Sequence, residues 1–192
     1  MPIRNTRAAK AAVLGAAATA LTVKAALAAP IQQGQPRVEA ALAPAPSIVG
    51  DDVRVATDHA YSRALVRKIL VEAAARHQVD PKLVLALSYW ESGWDQARES
   101  ETGAVGLMQV QPASAKEAGP ALLGRDVDLD NPYDNADVGV AILRQDLVAF
   151  GSPEKGLAAY YQGPTSLRAD GMYPDTQQYV QGILDLAGRM NP

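Results

Sequence analysis

The stretch DPKLVLALSYWESGWDQARESETGAVGLMQVQPASAKEAG, residues 80–119, holds the strongest structural signals of the chain. It opens with Asp80 and Pro81. An Asp before a Pro is typical of a helix start, because the carboxylate accepts from free N–H groups and Pro suits the first helical position. Residues 82–90 are almost wholly apolar. We therefore predict a buried helix that ends near Gly93 and around which the domain is built.

Glu91 is the unusual residue of this helix. It follows Val84 and Leu87 at helical spacing, so these three side chains share one stripe that should face the core. An unpaired carboxylate on such a stripe is costly, so Glu91 should be paired, face a cleft, or hold a proton at neutral pH. A protonated Glu in an apolar cleft can act as a general acid. Glu91 is thus the candidate catalytic residue, with a structural carboxylate at a helix end as the alternative.

Downstream of this helix, Gly103 and Gly106 bracket a turn and predict positive φ or close backbone approach. Together with their neighbours they resemble the soluble-type lytic transglycosylases, which have a lysozyme-like domain. The segments that carry this resemblance are Glu91 with Ser92, GAVGLMQ at residues 103–109, and PASA at residues 112–115.

Later segments extend the resemblance over roughly residues 60–190. They are Asn131 and Pro132 with Asn135 and Gly139, the block AAYYQGP at residues 158–164, and Tyr179 with Val180. Tyr161 and Gln162 stand where many family members have Asn and Ala. This departure concerns fine specificity and not the activity.

The resemblance implies a peptidoglycan lytic transglycosylase with Glu91 as its single acid and base. Glu91 would protonate the glycosidic oxygen between N-acetylmuramic acid and N-acetylglucosamine, and would then take the proton of the muramoyl C6 hydroxyl. The product would be a 1,6-anhydromuramoyl end, formed without water. One carboxylate suffices because the substrate supplies the nucleophile, whereas ordinary glycosidases need two carboxylates.

The resemblance also implies substrate-binding roles for five residues: Ser92, Met108, Gln109, Tyr160 and Tyr179. Ser92 would orient Glu91 or the N-acetyl group of the substrate. Gln109 and the backbone of Met108 would line the sugar sites. Tyr160 would hydrogen-bond toward Glu91 and fix its rotamer, with simple packing as the alternative. Tyr179 would belong to the cleft wall.

Two tryptophans lie beside Glu91 in the sequence. Either could stack on a sugar ring, because an indole combines a large apolar face with a polar N–H. We assign Trp90 to the core, whereas both a sugar contact and packing stay open for Trp94.

Two other functions compete with the transglycosylase. A hydrolytic muramidase on the same fold needs a second carboxylate near Glu91, and Asp95, Glu99 and Glu101 are close in sequence. A non-catalytic wall-binding protein would have lost Glu91, which is present.

The N-terminus predicts export. Residues 1–28 have a basic start, an apolar alanine-rich run too short for a membrane span, and a small-x-small site at residues 26–28. An uncleaved weak anchor is the alternative. Residues 29–52 are rich in Ala and Pro and predict a linker, which leaves residues 53–192 as the catalytic domain. We expect the protein in the periplasm, the cell wall or outside the cell.

Composition narrows the chemistry further. The chain has no cysteine, which excludes thiol nucleophiles, and only two histidines, so no metal or cofactor is expected. The net charge is −3, and losing residues 1–28 removes four basic residues and no acid, leaving −7. An acidic protein lacks the basic surface that binds nucleic acid. We expect glycan strands as the partner and a monomer.

The periodicity of the remaining chain predicts a mostly α-helical, lysozyme-like single domain. A small hairpin between Arg98 and Gln109 is compatible with the pattern, and residues 165–174 are predicted to form a loop. The predicted helices cover residues 63–78, 80–92, 112–117, 135–150, 153–163 and 175–190.

Overall fold

The computed structural model describes residues 61–191, which form seven α-helices and, within that range, no extended strand. The helices are α1 Arg63–His77, α2 Pro81–Ser92, α3 Pro112–Ala118, α4 Pro132–Phe150, α5 Pro153–Gln162, α6 Pro164–Asp170 and α7 Pro174–Ala187. The mostly helical prediction is confirmed. The predicted export signal at residues 1–28, the linker at 29–52 and the start of the predicted domain at 53–60 lie outside the described residues.

Local sequence signals fix where the helices begin. Every helix after α1 has a proline at its start, where the missing N–H costs nothing. Four helices also have a side-chain cap that accepts from a first-turn N–H, and these caps are Ser62, Asp80, Asn131 and Ser152. At the other end of α2, Gly93 takes the left-handed conformation with φ of 67°, which glycine adopts without strain. These ends place Glu91 in the last turn of α2.

Helix α2 is the centre of the domain, as predicted. Its residues 83–88 are all buried, and the helix packs against α1 on one side and α7 on the other. Burying a Leu or Val side chain stabilises a fold by about 1.5–3 kcal/mol. Helix α4 packs on α1 and α5 and closes the core from the opposite side.

Two details differ from the prediction. Residues 98–110 form only isolated antiparallel bridges, Glu99 with Val105 and Val105 with Val110, and not a hairpin of two strands. The predicted loop at residues 165–174 is wrong for its first half, which is helix α6. This helix forms because Gly163, with φ of 88°, ends α5 and the next residue, Pro164, starts a new helix.

Charged side chains join α1 to the start of α4. His77, Arg76 and Arg125 all contact the carboxylate of Asp137, with N···O distances of 2.8, 3.0 and 3.2 Å. His77 and Asp137 are partly buried, so their contact links the two core helices α1 and α4. Between residues 61 and 191, none of the helices combines the length and apolar character that a membrane crossing requires.

Candidate active site

The Glu91 carboxyl group lies where α2 ends against α7. Its Oε1 accepts a hydrogen bond of 2.5 Å from the hydroxyl of Tyr179. Burial raises the pKa of Glu91 to about 7, although the Tyr179 hydrogen bond and the positive charge of Arg98 oppose that rise. Desolvation therefore outweighs the two groups that favour the anion. The carboxyl group can therefore hold a proton at a neutral pH at which an ordinary Glu is fully ionised.

Two aromatic rings pack against the ring of Tyr179, whose hydroxyl bonds Glu91. Tyr179 is only 4% exposed. Tyr161 stacks on it with ring centroids 4.3 Å apart, and Trp90 meets it edge-on at 6.4 Å. Because both neighbours fix the orientation of the Tyr179 ring, its hydroxyl is held in place to donate to Glu91. The contribution of Tyr161 was not predicted, since stacking between α5 and α7 leaves no signal in the sequence of either helix alone.

The predicted hydrogen bond from Tyr160 to Glu91 is wrong. The Tyr160 hydroxyl donates instead to the carbonyl oxygen of Met108, at 2.8 Å. Tyr160 lies in the last turn of α5 and contacts the loop of residues 98–110, whereas Tyr179 lies on α7, which packs directly on α2. Burial, followed by the negative charges of Glu91 and Asp146, raises the pKa of Tyr160 well above its ordinary value. Tyr160 therefore stays a neutral hydrogen-bond donor.

Ser92 ties the loop of residues 98–110 to α2. Its hydroxyl lies 3.0 Å from the carbonyl oxygens of both Ser88 and Leu107, and the Ser88 hydroxyl donates to Leu107 at 2.9 Å. Ser92 is 5% exposed, so its hydroxyl is committed to the backbone. These contacts orient the backbone and not Glu91, contrary to the expectation for Ser92. The contact of Ser92 with an N-acetyl group stays a prediction.

Asn135 is a site residue for which no role was predicted. It is fully buried on α4, where its Oδ1 accepts from the Met108 N–H at 2.9 Å. Its Nδ2 donates to the carbonyl oxygens of Val105 and Leu129 at 2.9 and 3.1 Å. Gly106 lies against it, because a Cβ there would be 2.3 Å from Asn135 Nδ2. The signal that could have identified Asn135 is a lone amide on the apolar face of α4.

The two predicted sugar-lining residues differ in exposure. The side chain of Met108 is fully buried and packs on Gly139, where a Cβ would be 2.4 Å away. Only its backbone could face a ligand. Gln109 is half-buried with φ of 46°, and its Nε2 donates to the carbonyl oxygens of Arg98 and Gly106. Both substrate roles stay predictions.

The two tryptophans differ in exposure. Trp90 is 45% exposed, so its assignment to the core is wrong. The reason is Gly182 on α7, which supports the edge of the indole and leaves the rest uncovered. Trp94 instead donates from Nε1 to the Leu85 carbonyl oxygen at 3.1 Å. The guanidinium groups of Arg63 and Arg67 lie over its ring, which favours packing over a sugar contact.

None of the three acids close to Glu91 in sequence forms a pair with it. Asp95, Glu99 and Glu101 are exposed, and the Asp95 carboxylate accepts from the Ala97 N–H at 2.9 Å. A different acid, Asp146 on α4, is 6% exposed. Burial raises its pKa to about 7, with Arg168 opposing the rise. Among the described residues no group of three or more His, Asp or Glu side chains could hold a metal ion.

Comparison with known sequences gives the family. The family model described as Transglycosylase SLT domain matches residues 68–180. The chain is 36% identical over 94 residues to a transglycosylase of Enterobacteria phage PRD1, which covers 47% of this chain and 32% of that protein. It is 31% identical over 80 residues to the membrane-bound lytic murein transglycosylase E of Buchnera aphidicola, and this match covers 39% of this chain and 36% of that protein. The matches span about a third of these relatives.

Solved structures agree with this match. An inactive mutant of the lytic transglycosylase Slt of Pseudomonas aeruginosa superposes with a TM-score of 0.58 at 28% identity, over 63% of this chain and 23% of that one. The 70 kDa soluble lytic transglycosylase of Escherichia coli superposes with a TM-score of 0.57 at 22% identity, over 62% of this chain and 23% of that one. These likenesses confirm the lysozyme-like fold. With the family model matching more than half of its residues, the chain belongs to the transglycosylase SLT domain family.

Proposed function

We propose that this chain is a peptidoglycan lytic transglycosylase, which cleaves the β-1,4 bond between N-acetylmuramic acid and N-acetylglucosamine. The observation that carries the proposal is the Glu91 carboxyl group, which accepts a hydrogen bond from Tyr179 and whose pKa burial raises to about 7. A group with a pKa near the working pH can both give and take a proton at useful rates. The family match supports the same activity.

In the proposed reaction Glu91 acts twice. Its proton goes to the glycosidic oxygen as the bond from that oxygen to the muramoyl C1 breaks. The C6 oxygen of the same sugar then forms a bond to C1, and the Glu91 carboxylate takes the C6 hydroxyl proton. Glu91 ends as it began, and no water is consumed. The Tyr179 hydrogen bond stabilises the anionic form between these two steps.

The proposed substrate contacts follow from the geometry around Glu91. The loop of residues 98–110 is tied to α2 and α4, which supports a fixed backbone at Met108 and Gln109 for lining the sugar sites. Tyr160 would act through the Met108 carbonyl, and Tyr179 through Glu91. Ser92 would reach an N-acetyl group only after giving up a bond to Leu107. We assign no cofactor to this chemistry.

The setting of the enzyme is part of the proposal. Peptidoglycan lies outside the cytoplasmic membrane, so we infer an exported monomer that acts on glycan strands in the periplasm, in the cell wall or outside the cell. The basic and apolar pattern of residues 1–28 supports export. The acidic net charge argues against a nucleic-acid partner.

Mass spectrometry of digested peptidoglycan tests the function directly. A transglycosylase leaves 1,6-anhydromuramoyl ends, each lighter by one water than a reducing end. Hydrolysis needs a second carboxylate to activate water, and the exposed side chains of Asp95, Glu99 and Glu101 argue against it. Reducing ends as the main product would refute the transglycosylase. The folded Glu91→Gln variant serves as the inactive control. If the wild type cleaves several wall types no more than this control does, the wall-binding alternative is favoured.

A further inference from the structure

Trp90 is an exposed indole that the proposed reaction leaves unused. It directly precedes Glu91 in the last turn of α2, and nearly half of its surface, 45%, is open to solvent. The exposed part of an indole is a large apolar area in contact with water. A ligand that covers this area gains free energy by removing it from water. Its position therefore raises the question of what covers it.

The indole of Trp90 is held rigidly although it is exposed. The six-membered part of the ring rests on Gly182, where an added Cβ would lie 2.2 Å from the indole Cη2 atom. On its other flank the ring meets Tyr179 edge-on, at an interplanar angle of 86°. A ring fixed in this way loses little conformational entropy when a ligand lies on it.

The second tryptophan shows what a purely structural indole looks like here. Trp94 has its N–H bonded to Leu85 and its ring covered by Arg63 and Arg67. Trp90 has no hydrogen bond from its N–H to any residue between 61 and 191. Both its face and its polar tip are thus available to a ligand that offers C–H groups and hydroxyl or amide groups together.

We propose that Trp90 is a sugar-stacking residue, on which one pyranose ring of the glycan strand lies with its C–H face. This inference rests on the proposed function and adds a specificity-determining residue to it. Trp90 contacts Tyr179, whose hydroxyl bonds Glu91, so a ring on Trp90 lies within a few side-chain widths of the scissile bond. A pyranose presents C–H groups to the indole face and hydroxyl groups to the indole N–H. The stacked ring fixes the register of the strand relative to the acid.

Intrinsic fluorescence tests the contact without requiring turnover. The chain has two tryptophans, so the full-length variant Glu91→Gln with Trp94→Phe reports on Trp90 alone and cannot cleave. We expect oligomers of N-acetylglucosamine to change its emission in a saturable way. The matched variant Glu91→Gln with Trp90→Phe keeps only Trp94 and should not respond. Trp90 emission that stays constant at saturating oligomer, or a response only from the variant that keeps Trp94 and lacks Trp90, would overturn the proposal.

Kinetics provide a second measurement that does not depend on the folding of the Trp94 variant. Trp90→Ala should raise KM for soluble glycan about three- to tenfold, the usual worth of one aromatic contact, and should lower kcat by a smaller factor because Tyr179 loses one of the two rings that orient it. Trp90→Phe should recover part of the loss. The control is Tyr133→Ala, which removes another exposed aromatic ring far along the chain and should leave KM unchanged. An unchanged KM in Trp90→Ala would refute the stacking role.

The two proposals fail separately. If the wild-type protein releases no anhydro ends, the transglycosylase is refuted, but a saturable fluorescence change at Trp90 still supports a glycan contact. If the wild type cleaves normally and neither fluorescence nor KM depends on Trp90, the catalytic proposal stands and the stacking role falls. If Trp90 binds another protein and its fluorescence does not respond to sugar oligomers, the stacking role is also overturned.

Discussion

Tyr179 and Glu91 are joined by a hydrogen bond of 2.5 Å although 88 positions separate them in the sequence. The bond connects the first half of the domain, which supplies the acid, to its last helix. It also sets the acid strength, because a donor to the carboxylate favours the charged form while burial favours the neutral form. The pKa of Glu91 is the balance between these two effects.

Replacing Glu91 with Gln should abolish glycan cleavage while the fold is kept. The variant loses the proton donor, and a positioned general acid is worth roughly 10²–10⁴-fold in rate. The amide is nearly isosteric and can still accept from Tyr179. Release of muropeptides gives the rate and circular dichroism gives the fold. Turnover near that of the wild type would show that Glu91 is not the acid.

Replacing Tyr179 with Phe should move the pH dependence of kcat/KM upward. Glu91 must be protonated to act as an acid, so activity declines as the pH rises through its pKa of about 7. Tyr179 lowers that pKa, so its removal raises the pKa further, and the decline should begin at a higher pH. The control is Tyr160→Phe, whose hydroxyl bonds Met108 instead and should not move the decline. A profile that stays in place in Tyr179→Phe would contradict this account.

Replacing Tyr160 with Phe should slow cleavage less than Glu91→Gln does. The Met108 carbonyl loses its donor at 2.8 Å, which loosens the loop beside the acid without opening the core. Losing one such buried bond costs about 1–3 kcal/mol, so we expect reduced activity together with a slightly lower melting temperature. Single-turnover rates and thermal denaturation separate the two effects. Full activity would mean that the Tyr160 hydroxyl serves packing alone.

Replacing Asp146 with Asn should stabilise the protein at alkaline pH. Burial raises the folded-state pKa of this carboxyl group from 3.8 to about 7, so its stabilising protonation is complete below the lower value and is lost as pH rises through the higher one. Three pKa units correspond to about 4 kcal/mol as an upper limit. We would measure the free energy of unfolding in urea at about pH 5 and about pH 8. The variant should exceed the wild type by more at the higher pH.

The matched control for this experiment is Asp137→Asn. Burial alone would raise the pKa of Asp137, but hydrogen bonds and charges of His77 and Arg76 outweigh it and lower the pKa. That carboxylate therefore contributes stability above its ordinary pKa, and this contribution is lost as pH falls. We expect Asp137→Asn to destabilise the protein at about pH 8. If both substitutions change the free energy of unfolding equally at the two pH values, the opposite pKa shifts of Asp146 and Asp137 are refuted.

Replacing Gly106 with Ala should disrupt the loop beside Glu91. The added Cβ would lie 2.3 Å from Asn135 Nδ2, and φ of 77° is strained for any side chain. Gly103→Ala is the control, since its φ of 81° carries a similar strain but nothing lies within 4 Å of the added Cβ. Urea unfolding should show a clearly larger loss for Gly106→Ala. Similar losses would mean that the contact with Asn135 does not matter.

Local sequence signals predicted much of this domain and some of the site. The capped start of α2, its glycine end and the placement of Glu91 depend on residues near one another in the chain, so patterns reveal them. The choice between Tyr160 and Tyr179 does not, because both lie on apolar faces and only the packing of α5 and α7 decides which hydroxyl reaches the acid. The exposure of Trp90 likewise depends on Gly182, which is remote in sequence.

The two hydroxyl groups that bind the Leu107 carbonyl have a consequence for the order in which the domain assembles. Ser88 and Ser92 are 19 and 15 residues from Leu107, a short loop whose closure costs little entropy. The contact between Glu91 and Tyr179 spans 88 positions and must wait for α7 to be synthesised and docked. We expect the acid to gain its cover last, so a nascent chain would carry Glu91 without its Tyr179 partner until α7 has docked.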